Sequence, residues 1–128
     1  MQISQFANGE QGGSIRTKLN AVIDGVSVTG RTVTGATTLA ATDDGDMVVV
    51  NSAGSVIVTL PNNLPVGFVT TVVQLGAGAV SFTAASGATR NSRGGLSASG
   101  GQYALMTVLV VANSGGAAAS YILGGDLA

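Results

Sequence analysis

From Met47 onward the chain is a succession of short apolar runs punctuated by small and polar residues. Met47–Val50 and residues 55–60 flank Asn51-Ser52-Ala53-Gly54. That spacing predicts a hairpin with a four-residue turn. Pro61 and Pro65 fix φ and lack an amide donor, so they mark a wider connection rather than a central strand. Residues 67–75 read as the third strand, and 79–84 as a strand with Val80 and Phe82 on one face. The longest run, 102–112, carries Tyr103, Leu105, Thr107, Leu109 and Val111 on one face and Ala104, Met106, Val108 and Val110 on the other. Two apolar faces predict a strand inside a sandwich or against a neighbouring chain. Residues 120–123 close the series. Short strands with Gly-rich turns at roughly 8–12-residue spacing predict an all-β domain over residues 31–128, an antiparallel β-sandwich of jelly-roll type.

The period changes at the N-terminal end. Ile15, Leu19, Val22 and Ile23 recur at helical spacing and share one face of a predicted helix over residues 14–24. Ser14 supplies the N-cap and Gly25 the stop. A helix of roughly ten residues is marginal alone, so its apolar stripe predicts packing on the β-domain or on a partner subunit. In residues 1–13 the large apolar side chains are Ile3 and Phe6. This reads as a short arm that either frays or docks through Phe6. Residues 1–30 are thus an arm and helix with an anchoring role. Residues 25–42 form a Thr-, Val- and Gly-rich strand or linker. Asp43-Asp44-Gly45-Asp46 lacks the alternating ligands and distal Glu of a calcium loop, and reads as a tight turn held by Asx hydrogen bonds.

Composition narrows the chemistry. The 128 residues include no Cys, no His and no Trp, and charged residues make up 9% against roughly 25% in an average soluble domain. Zinc and iron sites lack their ligands, and nucleophilic catalysis lacks its base. The chain is therefore expected not to be an enzyme and to need no cofactor. A net charge of −1 without a basic patch predicts no nucleic-acid partner. No run approaches the ~20 apolar residues of a membrane span. The N-terminus lacks the basic and apolar regions of a signal peptide, which predicts synthesis in the cytoplasm. From Met47 to Ala128 the ionised side chains are Arg90, Arg93 and Asp126. So few charges predict a surface coated in Ser, Thr and Gly, or one covered by sister subunits. Arg90 and Arg93 would either grip a phosphate or carboxylate, or pair between subunits with Asp126 or the acidic turn.

Several stretches together resemble a β-module of tailed-bacteriophage virion proteins. They are Asp43-Asp44-Gly45-Asp46, Val56-Ile57-Val58-Thr59-Leu60-Pro61, Val66-Gly67-Phe68, the run from Gln74 to Phe82 containing Gly76-Ala77-Gly78, Ser86-Gly87-Ala88, and the closing Gly125-Asp126-Leu127. Asn8-Gly9-Glu10 and residues 14–23 are similar to a segment that precedes or anchors such modules. The resemblance implies a non-enzymatic, usually trimeric structural role on a phage particle. The chain has no long shaft, collagen-like repeat or coiled-coil heptads, which fits a knob seated directly on a shell. The expectation is a capsid decoration (cement) protein on the outer surface of the head, made in the host cytoplasm. It would be a homotrimer bound to the major capsid protein or another virion protein. Phe6, Ile15, Leu19, Ile23, Arg90 and Arg93 are its expected partner contacts, and the face around 105–111 its packing surface. The alternative is a small tail-fibre or receptor-binding tip that recognises the host surface through residues 89–95.

Overall fold

The computed structural model describes residues 30–128. The expected arm and helix, with Phe6, Ile15, Leu19 and Ile23, lie outside the described residues. The described chain is all-β, and side-chain alternation sets its strands. Strand β3 (Met47–Val50) buries Val48 and Val50, and β4 (Val56–Leu60) buries Val56, Val58 and Leu60. β5 (Val69–Gln74) buries Thr70, Val72 and Gln74, and β6 (Val80–Ala84) buries Val80 and Phe82. β-Branched and aromatic residues dominate these positions, as a half-buried pleated surface favours.

The strands do not pair with their neighbours in sequence. β3 lies parallel to β5 with Met47 opposite Thr71, and β4 parallel to β6 with Val56 opposite Val80, a register offset of 24 residues in both ladders. Ahead of them, β1 (Arg31–Val33) stacks parallel to β3, and β2 (Thr37–Thr38) parallel to β4. The chain crosses from one sheet to the other at every turn and returns alongside its previous strand. The product is three stacked coils of a two-sheet solenoid.

The hairpin expected from β3 and β4 does not form, because the two strands belong to different sheets. The backbone of the intervening turn bonds to the coils beside it instead. Asn51 N–H donates to Val33 O (2.9 Å), Leu75 N–H to Val50 O (2.8 Å) and Gly78 N–H to Ser52 O (2.8 Å). Such close stacking has no room for side chains. A Cβ on Gly76 would lie 2.3 Å from Ser52 O, and one on Gly78 would lie 1.9 Å from Gly54 O.

Beyond the third coil come β7 (Thr89–Ser92), β8 (Leu105–Asn113) and β9 (Ala119–Gly125). β8 runs antiparallel to β5, and β9 antiparallel to β8 with a bulge between Val110 and Ala112. β7 adds parallel to β9. The sheets are ordered β1-β3-β5-β8-β9-β7 and β2-β4-β6. Among the named strands, the antiparallel pairing expected throughout is therefore confined to β5–β8–β9, while the other ladders are parallel; isolated antiparallel bridges join Ser81 to Ala98 and Ser99 to Leu127. The smaller sheet is prolonged by residues 97–99, where Phe82 N–H donates to Ser97 O and Ser99 N–H to Val80 O (2.8 Å each).

The inner faces of both sheets merge into one core, in which Tyr121, Phe68 and Phe82 are the largest fully buried side chains. Its polar members have partners, as buried donors and acceptors require. Ser99 Oγ–H donates to Gln74 Oε1, Val80 N–H donates to Ser99 Oγ (2.9 Å), and Gln74 Nε2 donates to Gly76 O (3.0 Å). The Tyr121 hydroxyl donates to Pro61 O, joining the large sheet to the exit of β4.

The acidic stretch forms the expected tight turn, but backbone bonds close it, Asp46 N–H to Asp43 O at 3.0 Å among them, and the carboxylates bond elsewhere than the expected Asx pattern. Asp43, 2% exposed, ends a short 3-10 turn (Ala41–Asp43) and accepts from Ala40 N–H (2.9 Å). It also accepts a fork from Arg31, Nε at 2.8 Å and Nη2 at 3.0 Å, a bond that raises the Arg31 pKa above its ordinary value. Asp44 Oδ1 accepts from Val69 N–H (3.1 Å) and Asp46 Oδ1 from Gly30 N–H (2.8 Å). Each carboxylate thus pins a backbone amide.

Candidate functional site

The inward residues of the large sheet leave an outward set that register brings into rows. Val49, Val73 and Leu105 form one row, continued by Thr32. Met47, Thr71, Thr107 and Gly124 form the second. Val69, Leu109 and Ile122 form the third, ending at Asn91 on β7. Val111 extends the same side of β8. None of the outward residues of β3, β5, β8 and β9 carries a charge. The nearest cations sit on the two edge strands, Arg31 on β1 and Arg90 on β7.

Large apolar side chains stand open on this face: Leu105 is 59% exposed, Val111 46% and Ile122 41%. With Val49, Val73, Val69 and Leu109 they make two apolar rows flanking the Thr71–Thr107 row, and clustered exposed apolar side chains mark a candidate interaction surface. Tyr103, just before β8, is 69% exposed and holds a left-handed backbone (φ 70°). A bulky residue in that region costs roughly 1–3 kcal/mol, and such strain gathers at functional positions.

Residues 105, 107, 109 and 111 share this outer side, as their spacing suggests, while Met106, Val108 and Val110 fill the core. Sequence reasoning missed Met47, Val69 and Ile122, which join the face through register. The signal available was the alternation within β5 and β9. Arg90 and Arg93 occupy different surroundings. Arg90 Nη1 donates to Phe82 O. Arg93 opens a 3-10 turn (Arg93–Gly95) at the rim of a cleft, and its side chain makes no hydrogen bond or ion pair among the described residues.

Among the described residues there is no cluster of three His, Cys, Asp or Glu side chains suited to a metal ion, and no helix long and apolar enough to cross a membrane. No family model matches the chain, and no curated protein matches it.

Proposed function

We propose that this protein is a capsid decoration protein, a homotrimeric knob that cements the outer surface of a phage head by non-covalent adhesion. The observation that carries the reading is the uncharged, apolar outer face of the six-stranded sheet. Charge depletion with apolar enrichment is the signature of an interface core. Three copies that turn this face toward a common axis would remove it from water, with Tyr103 as an aromatic anchor at its margin. The N-terminal segment, residues 1–30, then engages the shell, through Phe6, Ile15, Leu19 and Ile23. Affinity for the shell is multiplied because one trimer presents three such anchors.

Leu105→Glu tests the assembly. The site is exposed, so the fold should tolerate the change to within about 0.5 kcal/mol. Burying the new carboxylate at the axis should turn the trimer into monomer in sedimentation velocity. A variant that remains trimeric, or a wild-type protein that is monomeric at micromolar concentration, would overturn the reading. Shell binding is tested separately. Deleting residues 1–24 should leave the trimer intact and abolish decoration of phage heads in a co-sedimentation assay.

The second reading, a tail-fibre or receptor-binding tip, is favoured by the cleft beside Arg93, which lies within the 89–95 stretch. Binding of the isolated protein to host cells would promote it over the first.

A further inference from the structure

The first coil is held differently from the two that follow. β1 and β2 have three and two residues and stand first in their sheets, so among the described residues each pairs with a strand on one side alone. Between Gly30 and Thr38 the apolar side chain packed on the core is Val33, which is partly buried. The second coil contributes Val48, Val50, Val56, Val58 and Leu60, all buried. A segment with little apolar burial and a one-sided ladder opens at a lower free energy than the whole domain.

A polar clasp stands where that burial is missing. Arg31 lies opposite Val48, whose side chain is buried, so its guanidinium is on the inner side of β1 at the end of the stack. From there it crosses to the smaller sheet: Nη1 donates to Thr37 Oγ1 (3.0 Å) and Nη2 to Thr38 O (3.2 Å). Its fork on Asp43 ties both strands to the turn that leads into the second coil. Gly30 N–H on Asp46 Oδ1 is a second fastening to the same turn. The turn itself is anchored without the first coil. Gly45 N–H donates to Val69 O (2.7 Å), Val69 N–H to Asp44 Oδ1, and Thr70 Oγ1–H to Asp46 O (2.9 Å). β5 thus fixes the acidic turn, and residues 30–38 form a short strap fastened to it.

We infer that this strap opens as a unit while the second and third coils and β7–β9 stay folded, and that the Arg31–Asp43 pair is its lock. It hinges at residues 40–42, just after Leu39, which stays in the core at 2% exposure. The Asp43 side chain is 4% exposed, so water screens the pair far less than it screens a surface ion pair. Opening bares the edges of β3 and β4 and releases Gly30, the point at which residues 1–29 join the body. A pull on those residues is borne first by the lock. The inference does not rest on the decoration reading, because it is tested on the full-length protein in whatever oligomer it forms.

The test is native-state hydrogen exchange, read by NMR across low urea concentrations. Opening the strap exposes little surface. The protected amides of residues 31–38, and Asn51 N–H, which donates to Val33 O, should therefore exchange with a shallow urea dependence. Val110 N–H, which donates to Phe68 O inside the large sheet, should show the steep dependence of global unfolding. Asp43→Asn removes the charge and keeps the shape. It should speed exchange in the strap at least about tenfold, as loss of hydrogen bonds to a charged group predicts, while Val110 stays protected and keeps its steep slope. Arg31→Met should do the same, because it removes the same pair. One common urea dependence for the strap and Val110 in the wild-type protein would overturn the inference. So would an Asp43→Asn strap as well protected as the wild type, or an Asp43→Asn chain that unfolds throughout.

Discussion

Replacing Tyr121 with alanine should cost about 4 kcal/mol of folding stability, read as a shift in the urea midpoint at unchanged slope. The ring is fully buried and is the largest such side chain in the core. Its removal leaves a void between the sheets and strips Pro61 O of its donor. Against a total of roughly 5–15 kcal/mol for a domain, this removes about a quarter or more of the stability. Tyr121→Phe isolates the hydroxyl and should cost about 1 kcal/mol at neutral pH. It also carries a pH signature. Burial pushes the Tyr121 hydroxyl up to about 12 from an ordinary 10.0. The folded state keeps this proton where the unfolded chain has released it. Its contribution is therefore complete below pH 10 and is lost as pH rises through about 12. The wild-type protein should lose more stability across that window than Tyr121→Phe. Equal alkaline slopes for the two proteins would place the hydroxyl in water.

Gly78→Val should cost about 3 kcal/mol or more, because its Cβ would fall 1.9 Å from a backbone oxygen that no rotamer change can move. The matched control is Gly54→Val. Gly54 occupies the same place one coil earlier, has an ordinary φ, and a Cβ there would meet nothing within 4 Å. That substitution should stay within about 0.5 kcal/mol. The pair separates stacked coils from an ordinary hairpin, in which the two glycines would stand in unrelated turns. Comparable stabilities for both variants in urea would contradict the stacking.

Strand positions were legible in the sequence because alternation is local. Val48 and Val50, Val56 and Val58, and Met106 to Val110 announce their buried sides through residues two apart. Pairing was not, because a turn such as Asn51-Ser52-Ala53-Gly54 suits both a hairpin and an arc between sheets. The difference lies in where the side chains of the two flanking strands point, which the turn residues alone do not specify. One signal would have decided it. Val48, Val49, Ala53, Gly54, Val56 and Thr59 recur 24 residues later as Val72, Val73, Ala77, Gly78, Val80 and Thr83, the same offset as the register between the coils. For the site, the outward row on β8 could be read from its spacing. The row-mates on β5 and β9 required knowledge of which strands meet. Arg93 was visible with Arg90 as one of two cations in a charge-poor stretch, but the cleft beside it arises from β7 ending two residues before β9, which no local pattern encodes.

The stacked coils also favour early contacts close in sequence. Ladder partners within them are separated by only 17 to 24 residues, from Arg31 opposite Val48 to Met47 opposite Thr71, whereas Val69 finds Leu109 across forty. Loop-closure entropy favours the nearer contacts. Each finished turn offers its edge as a template for a neighbour on either side, so the coils can grow from whichever forms first. The β8–β9 hairpin caps the last coil through the most sequence-distant ladder, and so carries the largest loop-closure cost of the sheet.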